Sequence, residues 1–140
     1  MPKAFTAFLP LSFFLLFAVT SPVWAMETTA KQAYIIDYET GQVLLDKDAG
    51  EKMPTSSMSK TLTGYVVFKA LDGGKITLDQ EFPVSEKAWR MEGSKMFMPL
   101  GSMVKVEDLI RGMLIQSGND AAVTLAEGVA GSEEAFVQEM

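Results

Sequence analysis

Cysteine and histidine are both absent from this chain of 140 residues. Without cysteine, no disulfide can hold the fold together, so its stability has to come from packing. Without either residue, a zinc ion would have only carboxylate ligands, which is rare, and we expect neither a metal ion nor a cofactor. The same absences exclude a Ser-His-Asp or a Cys-His hydrolase within these residues. Any nucleophile in this chain therefore needs lysine, glutamate, aspartate or tyrosine as its base.

Positive charge is also scarce, because 12 lysines and arginines stand against 18 acidic residues, for a formal net charge of -6. The basic residues form no cluster along the chain. Nucleic-acid binding and the binding of anionic lipid headgroups both require a basic surface. The sequence therefore argues against nucleic acid as a partner and contains no basic lipid-binding patch.

The first 25 residues have the layout of a cleavable secretory signal. Lys3 supplies a positive start, residues 4–19 are almost wholly apolar, and Val23 and Ala25 mark a small-residue end. The apolar run falls short of the roughly 20 residues that span a bilayer. We predict a signal peptide over residues 1–25, with an uncleaved anchor as the alternative. Either interpretation places the remaining residues in the periplasm or on the outer face of the cytoplasmic membrane.

Residues 26–140 suffice for one small core, which begins with a β-hairpin. Residues 33–38 are β-branched and aromatic, Gly41 indicates a turn, and residues 42–46 form a second apolar run. A helix should follow from Ser57 to about Leu71. Because the apolar residues of this helix do not keep to one stripe, we expect it to be buried on all sides.

The second half of the chain predicts mainly helices. Two short stretches look extended, residues 77–79 and 82–84. Apolar residues at helical spacing over 106–114 indicate an amphipathic helix. Two more helices should start near Asn119 and at Ser132, the last with acidic residues suited to its first turn.

Ser57 and Lys60 lie three residues apart at the start of the first predicted helix. Residues at this spacing share one face of a helix, so the lysine amine can reach the serine hydroxyl. Burial disfavours the charged form of a lysine, which is how lysines become bases. A backbone N–H at the start of a helix also lies at the positive end of its dipole and can stabilise an oxyanion. These residues suit a nucleophile, a base and half of an oxyanion hole.

The spacing alone does not establish such a pair, since a serine at a helix start is usually a cap and a nearby lysine is usually solvated. Ser102 and Lys105 show the same spacing. They follow Pro99 and Gly101 and precede the next helix, so no helical turn aligns their side chains. We interpret this second match as chance.

Ser117 and Asn119 are the second candidate pair, in the tight connection between two predicted helices. Asn119 is the only asparagine in the chain, and such a connection can project polar side chains into a cleft. The alternative is that one of them caps the following helix, or that Gly118 only ends the preceding one.

A Ser-x-x-Lys at a helix start followed by a Ser-x-Asn between helices is the order of the penicillin-interacting serine enzymes, whose third motif is Lys-Thr-Gly. The chain most closely resembles the low-molecular-weight penicillin-binding proteins, which are serine-type D-alanyl-D-alanine carboxypeptidases. Gly118 stands where class A β-lactamases usually carry Asp, which favours the carboxypeptidase branch. Further similarity to this family lies in residues 33–37, 54–60, 93–97, 109–112 and 116–122.

The resemblance implies an α/β (α+β) fold of the β-lactamase/DD-peptidase-like type, with an N-terminal hairpin of an antiparallel sheet and a helical subdomain. It implies that Ser57 attacks the carbonyl between the terminal D-alanines of a peptidoglycan pentapeptide while Lys60 takes its proton. Ser117 would relay that proton to the leaving D-alanine, and Asn119 would hold a peptide carbonyl of the substrate. β-Lactams, which resemble D-Ala-D-Ala, would acylate Ser57 and act as inhibitors.

The third motif of the family is missing from these residues. The only Lys-Thr is Lys60-Thr61, which is followed by Leu62. In the family, Lys-Thr-Gly lies on a strand well beyond position 140, together with several strands of the central sheet. We therefore expect residues 26–140 to be the N-terminal part of the catalytic domain, inactive and prone to association by itself. Any membrane attachment would use a C-terminal segment that these residues do not contain.

Two other functions stay open on the sequence. A β-lactamase of the same fold would need a residue that positions the deacylating water, and that residue would also lie past position 140. A non-catalytic relative would bind β-lactams or peptidoglycan without cutting either.

Overall fold

The structure is a computed structural model that describes residues 26–140, so the signal peptide predicted over residues 1–25 lies outside the described residues. The chain divides into one unit that ends at Lys52 and a second unit from Met53 to Met140. No helix among the described residues is both long enough and apolar enough to cross a bilayer.

The first unit contains the predicted β-hairpin. Strand β1 (Ala33–Ile36) pairs antiparallel with β2 (Val43–Lys47), with an irregular register at its last step. The turn is held by Asp37, whose carboxylate accepts hydrogen bonds from the Thr40 hydroxyl at 2.6 Å and the Thr40 amide at 2.7 Å. These bonds lower the pKa of Asp37 from its ordinary value. Gly41 follows with a φ of +71°, a conformation that favours glycine.

The second unit is mainly helical, with one small antiparallel sheet made of β3 and β4. A 3-10 turn (Ser56–Met58) leads directly into the first helix. The elements in chain order are α1 (Ser59–Asp72), β3 (Glu81–Pro83), α2 (Glu86–Arg90), β4 (Met103–Lys105), α3 (Val106–Ile115), α4 (Asn119–Ala130) and α5 (Glu133–Glu139).

Helix α4 forms the centre of this unit, with α1, α2, α3 and α5 packed around it. The largest side chains removed from solvent are Phe136, Leu109, Met113 and Leu125. On one side α4 approaches β3 so closely that a Cβ at Gly128 would lie 2.1 Å from the ring of Phe82. The core of the unit therefore surrounds the helix that begins at Asn119.

Helix α1 is covered on one side only in the described residues, whereas the sequence predicts that it is buried on all sides in the whole catalytic domain. Val66 and Val67 are buried, and the helix packs against α3 and α4. The opposite face exposes Leu62, Tyr65 and Phe68, at 43%, 60% and 50% of their surface. A helix that is apolar all round needs neighbours on both sides. Within its own unit, α1 has neighbours on one side only.

The remaining predicted elements agree with the structure except at one stretch, whereas α2 and β4 were not predicted from the sequence. The helices predicted from about residue 106, from Asn119 and from Ser132 are confirmed, and Ser132 caps α5 by accepting a hydrogen bond from the Ala135 amide at 3.1 Å. Residues 82–84 overlap β3, but residues 77–79 form a turn instead of a strand. Ser102 precedes strand β4, which contains Lys105. The second Ser-x-x-Lys match therefore has no helical turn, as predicted.

Candidate active site

Ser57 and Lys60 lie where the 3-10 turn passes into α1. Ser57 is the middle residue of the turn and Lys60 the second residue of the helix, so the α-helix begins two residues later than predicted. Their side chains still meet, because Lys60 Nζ lies 3.3 Å from Ser57 Oγ. Ser57 is exposed and Lys60 is half-buried, a more open position than the sequence suggested. Ser56, just before the turn's centre, has a φ of +49°, which is unusual for a residue with a side chain.

Ser117 joins this pair from the connection between α3 and α4. Its hydroxyl donates a hydrogen bond to Ser57 Oγ at 3.0 Å, although the two residues are 60 positions apart. Its backbone has a φ of +60°, the left-handed conformation that non-glycine residues seldom adopt. Such conformations persist only where surrounding contacts hold them, and they cluster at functional sites.

Asn119, the first residue of α4, completes the group. Its Oδ1 accepts a hydrogen bond from Lys60 Nζ at 2.7 Å, while its Nδ2 donates to the Glu92 carbonyl at 2.6 Å. Because a carbonyl can accept only from the amide nitrogen, the contact with Glu92 directs the amide oxygen towards the lysine. The structure thus brings together all four residues singled out in the sequence, and their catalytic roles stay predictions.

One segment that the sequence did not single out for a role holds this group in place. The segment Glu92–Met96, here called the 92–96 segment, has no regular secondary structure. Its Glu92 carbonyl accepts the hydrogen bond from Asn119 Nδ2 described above. Its Ser94 carbonyl accepts a second hydrogen bond, from the Asn119 backbone amide at 2.7 Å. Gly93, with a φ of +81°, lies so close that a Cβ would approach Asn119 Nδ2 to 3.0 Å. Residues 93–97 belong to the family resemblance, which was the only signal that could have found them.

A pocket of about 160 Å³ adjoins the polar group. Lys60 and Asn119 contribute to its wall, and most of the remainder is apolar, including Met91, Val123 and Phe136. The pocket is smaller than the roughly 300 Å³ at which ligand sites usually start. The described residues contain no cluster of three or more acidic side chains that could hold a metal ion. The polar side-chain groups brought together here are the Ser57 and Ser117 hydroxyls, the Lys60 amine and the Asn119 amide.

The arrangement places one amine and one hydroxyl within hydrogen-bonding distance of Ser57 Oγ. Ser57 Oγ lies between Lys60 Nζ and Ser117 Oγ, so a proton that leaves it has two neighbours to accept or return it. This geometry suits acyl transfer through a serine nucleophile with lysine as base.

The chain from residue 17 to residue 140 matches the family model of peptidase S11, D-alanyl-D-alanine carboxypeptidase. The chain belongs to this family. It is 41% identical to the D-alanyl-D-alanine carboxypeptidase DacF of Bacillus subtilis over 79% of its own length and 28% of that protein. It is also 41% identical to DacC of Escherichia coli, over 86% of its own length and 32% of that protein.

Solved structures agree with this assignment. The D-alanyl-D-alanine carboxypeptidase DacD from Francisella tularensis matches with a TM-score of 0.78 and 34% identity, over 82% of this chain and 28% of that one. Penicillin-binding protein 5 from Haemophilus influenzae matches with a TM-score of 0.77 and 37% identity, over 81% of this chain and 34% of that one. The fold class predicted from the sequence is confirmed. The chain spans about a third or less of the length of these relatives.

Proposed function

We propose that the full-length gene product is a serine-type D-alanyl-D-alanine carboxypeptidase that acts on peptidoglycan stem peptides and is acylated by penicillin. The observation that carries this is the meeting of Lys60 Nζ, Ser117 Oγ and Asn119 around Ser57 Oγ. The family match supports this proposal, as does the similarity to D-alanyl-D-alanine carboxypeptidases and penicillin-binding proteins.

In the proposed reaction, Ser57 Oγ attacks the carbonyl carbon between the two terminal D-alanines while the neutral amine of Lys60 takes the hydroxyl proton. The tetrahedral intermediate collapses by breaking the C–N bond, and the leaving D-alanine nitrogen receives a proton through Ser117. Water then attacks the ester carbonyl and gives one of its protons to Lys60, and the C–O bond to Ser57 breaks as that proton passes from Lys60 to Ser57 Oγ, which releases the shortened peptide as a carboxylic acid. Asn119 holds a peptide carbonyl of the substrate by its amide nitrogen.

The test uses a fluorescent penicillin and the full-length gene product. We expect a covalent adduct on Ser57, identified by peptide mass spectrometry, and release of D-alanine from a peptide that ends in D-Ala-D-Ala. Ser57→Ala should abolish both signals. Ser59→Ala is the matched control, since Ser59 Oγ only donates to the Ser56 carbonyl at 2.9 Å and should be dispensable. An adduct that persists in Ser57→Ala, or forms on another residue, would contradict the proposal.

We propose further that the site is completed by a Lys-Thr-Gly segment beyond residue 140, on strands that belong to the same catalytic domain. In support, the chain contains no Lys-Thr-Gly and spans 28% of the length of the Bacillus subtilis relative. Residues 1–140 alone should then release no D-alanine. Hydrolysis by this purified chain at a rate similar to that of the full-length gene product would refute the proposal.

We propose that the protein is exported, with residues 1–25 removed and the remainder in the periplasm or on the outer face of the membrane. The basic start, apolar run and small-residue end of those residues support this. N-terminal sequencing of the secreted form should start at Met26, and Ala25→Arg should block the cleavage. A form that keeps residues 1–25 in the membrane fraction would favour the uncleaved anchor. Release of the cleaved form by proteolysis near its C-terminus would indicate attachment through a C-terminal segment.

A further inference from the structure

Asp120 is fully buried, at 0% exposure, in the first turn of α4 and next to Asn119. Its Oδ1 accepts two backbone hydrogen bonds of 2.9 Å, one from the Ala121 amide and one from the Met96 amide. The second bond joins residues 24 positions apart. The carboxylate also lies directly beside Gly118, where an added Cβ would be 3.1 Å from Oδ1. Asp120 therefore connects the start of α4 with the end of the 92–96 segment.

Stability alone does not explain an acid at this position. The positive end of the α4 dipole favours a negative charge there. The second carboxylate oxygen, Oδ2, is nevertheless buried and accepts no hydrogen bond from the described residues. Burying a polar atom without a partner is costly, and native proteins show few such atoms. Because this buried acid lowers stability and contacts both the 92–96 segment and the start of α4, we expect a functional role.

A second connection lies on the other side of Ser117. Ser94 Oγ donates a short hydrogen bond to the Gln116 carbonyl, and Gln116 Nε2 donates to the Lys95 carbonyl at 2.6 Å. The 92–96 segment thus contacts the backbone just before Ser117 through Ser94, and the side chain of Asp120, three residues after Ser117, through the Met96 amide. Between these two contacts, Ser117 keeps its left-handed φ of +60°.

We propose that Asp120 and Ser94 are positioning residues, which fix the 92–96 segment on both sides of Ser117 and thereby set the distance from Ser117 Oγ to Ser57 Oγ. This inference rests on the proposed function. Neither residue touches the reacting atoms, and each acts through Ser117 and Asn119. Asp120 does so through Oδ1, the atom that accepts both backbone hydrogen bonds.

The experiment compares Asp120→Ala with Asp120→Asn in the full-length gene product, at a temperature well below both unfolding transitions. Asparagine keeps an Oδ1 acceptor at the same place, whereas alanine removes it. We expect Asp120→Ala to slow acylation by a fluorescent penicillin about a hundredfold, the effect of displacing reacting groups by about 1 Å. Asp120→Asn should stay within about fivefold of the parent, because its hydrogen bonds are remade. Asp108→Ala, another acid in the first turn of a helix but exposed, should leave the rate unchanged.

A second readout needs no catalytic activity. Exchange of the Met96 amide hydrogen should be faster in Asp120→Ala and unchanged in Asp120→Asn. An unreactive parent protein would therefore refute the proposed function, whereas unchanged Met96 exchange in Asp120→Ala would refute the connection itself. An Asp120→Ala protein that is less stable but acylated at the parent rate would show a merely structural role. Equal losses in the alanine and asparagine variants would show that an Oδ1 acceptor at this position is not sufficient, and would overturn the role assigned to that atom.

If Asp120→Ala does not fold, the Ser94→Ala variant tests the proposal instead. Ser94→Ala removes one exposed hydroxyl and should slow acylation by about tenfold. Ser102→Ala is its matched control, because Ser102 Oγ makes a similar loop contact with the Pro99 carbonyl at 2.7 Å, away from the site. A Ser94→Ala protein that reacts as fast as Ser102→Ala would overturn the proposal.

Discussion

Lys60 and Asn119 are 59 residues apart in the chain, yet Lys60 Nζ donates to Asn119 Oδ1 at 2.7 Å, which is closer than its 3.3 Å contact with Ser57 Oγ. The asparagine oxygen is thus the nearest recorded partner of the amine that we propose as the base. A neutral amide in this place orients the amine without adding a negative charge. The chemical nature of residue 119 should therefore govern how well Lys60 accepts a proton.

Asn119→Asp should impair acylation more than Asn119→Ala does. A carboxylate within hydrogen-bonding distance stabilises the protonated amine, which cannot take the proton from Ser57. We expect acylation by penicillin to fall about 10²-fold or more, the range for loss of general-base catalysis. The measurement is the acylation rate of both variants under the same conditions. A faster reaction in the aspartate variant than in the alanine variant would refute this view of Lys60.

Replacing Lys60 itself should show whether acylation needs the positive charge of this residue or its ability to accept a proton. Lys60→Arg keeps a positive charge near Asn119, but a guanidinium stays protonated in proteins and cannot serve as a base. Lys60→Met keeps the aliphatic stem and loses the amine. We expect both variants to lose acylation by about 10²- to 10⁴-fold. An arginine variant close to the parent rate would mean that residue 60 acts only through its charge.

Substitutions of Ser117 should change stability and activity independently. Its φ of +60° is tolerated by glycine at no steric cost and by other residues at some cost. Ser117→Gly should therefore be more stable than Ser117→Ala by about 1 kcal/mol, as measured by urea unfolding. Both variants should lose the same share of acylation, because both lack the hydroxyl. Different rates would show that backbone geometry, not the hydroxyl, limits the reaction.

Two helix glycines provide a test of the packing around the site. Gly128→Ala would place a methyl group 2.1 Å from the Phe82 ring, and overpacking of this kind costs about 1–3 kcal/mol. Gly64→Ala is the matched control in α1, since its Cβ would meet Leu114 at an ordinary 3.4 Å. That change should stabilise the protein by up to about 1 kcal/mol through helix propensity. Urea unfolding measures the stability of both variants. If both substitutions changed the free energy of unfolding in the same direction, the packing described here would be contradicted.

The elements that local signals define were predicted well from the sequence. The turn at Gly41 and the cap at Ser132 each depend on a few neighbouring residues, so their boundaries follow from chemistry that the sequence displays. The contact between Ser57 and Ser117 could not be predicted from local signals, because no local sequence pattern relates residues that are 60 positions apart. The family resemblance suggested it, and the 3.0 Å hydrogen bond shows it.

The roles of Ser94 and Asp120 could not be read from local patterns. Their partners are 22 and 24 residues away, and an irregular segment has no periodicity that would indicate which side chains face inward. The burial of α1 likewise depends on residues that are distant in the chain. Composition shows how much apolar surface a helix carries, whereas burial depends on which neighbours cover it.

The uncovered face of α1 leads to the last prediction. Leu62, Tyr65 and Phe68 are exposed on neighbouring turns of one helix, and a contiguous apolar patch promotes association. The purified chain of residues 26–140 should bind a hydrophobic dye and sediment as concentration-dependent oligomers. Replacing Tyr65 by Lys and Phe68 by Glu should reduce both signals, because the changes remove the patch and add an ion pair of helical spacing. Ile115→Lys is the control for an exposed apolar residue on another helix, 84% exposed at the end of α3. If this change dispersed the oligomers as well as the α1 changes, the association would not depend on the α1 face.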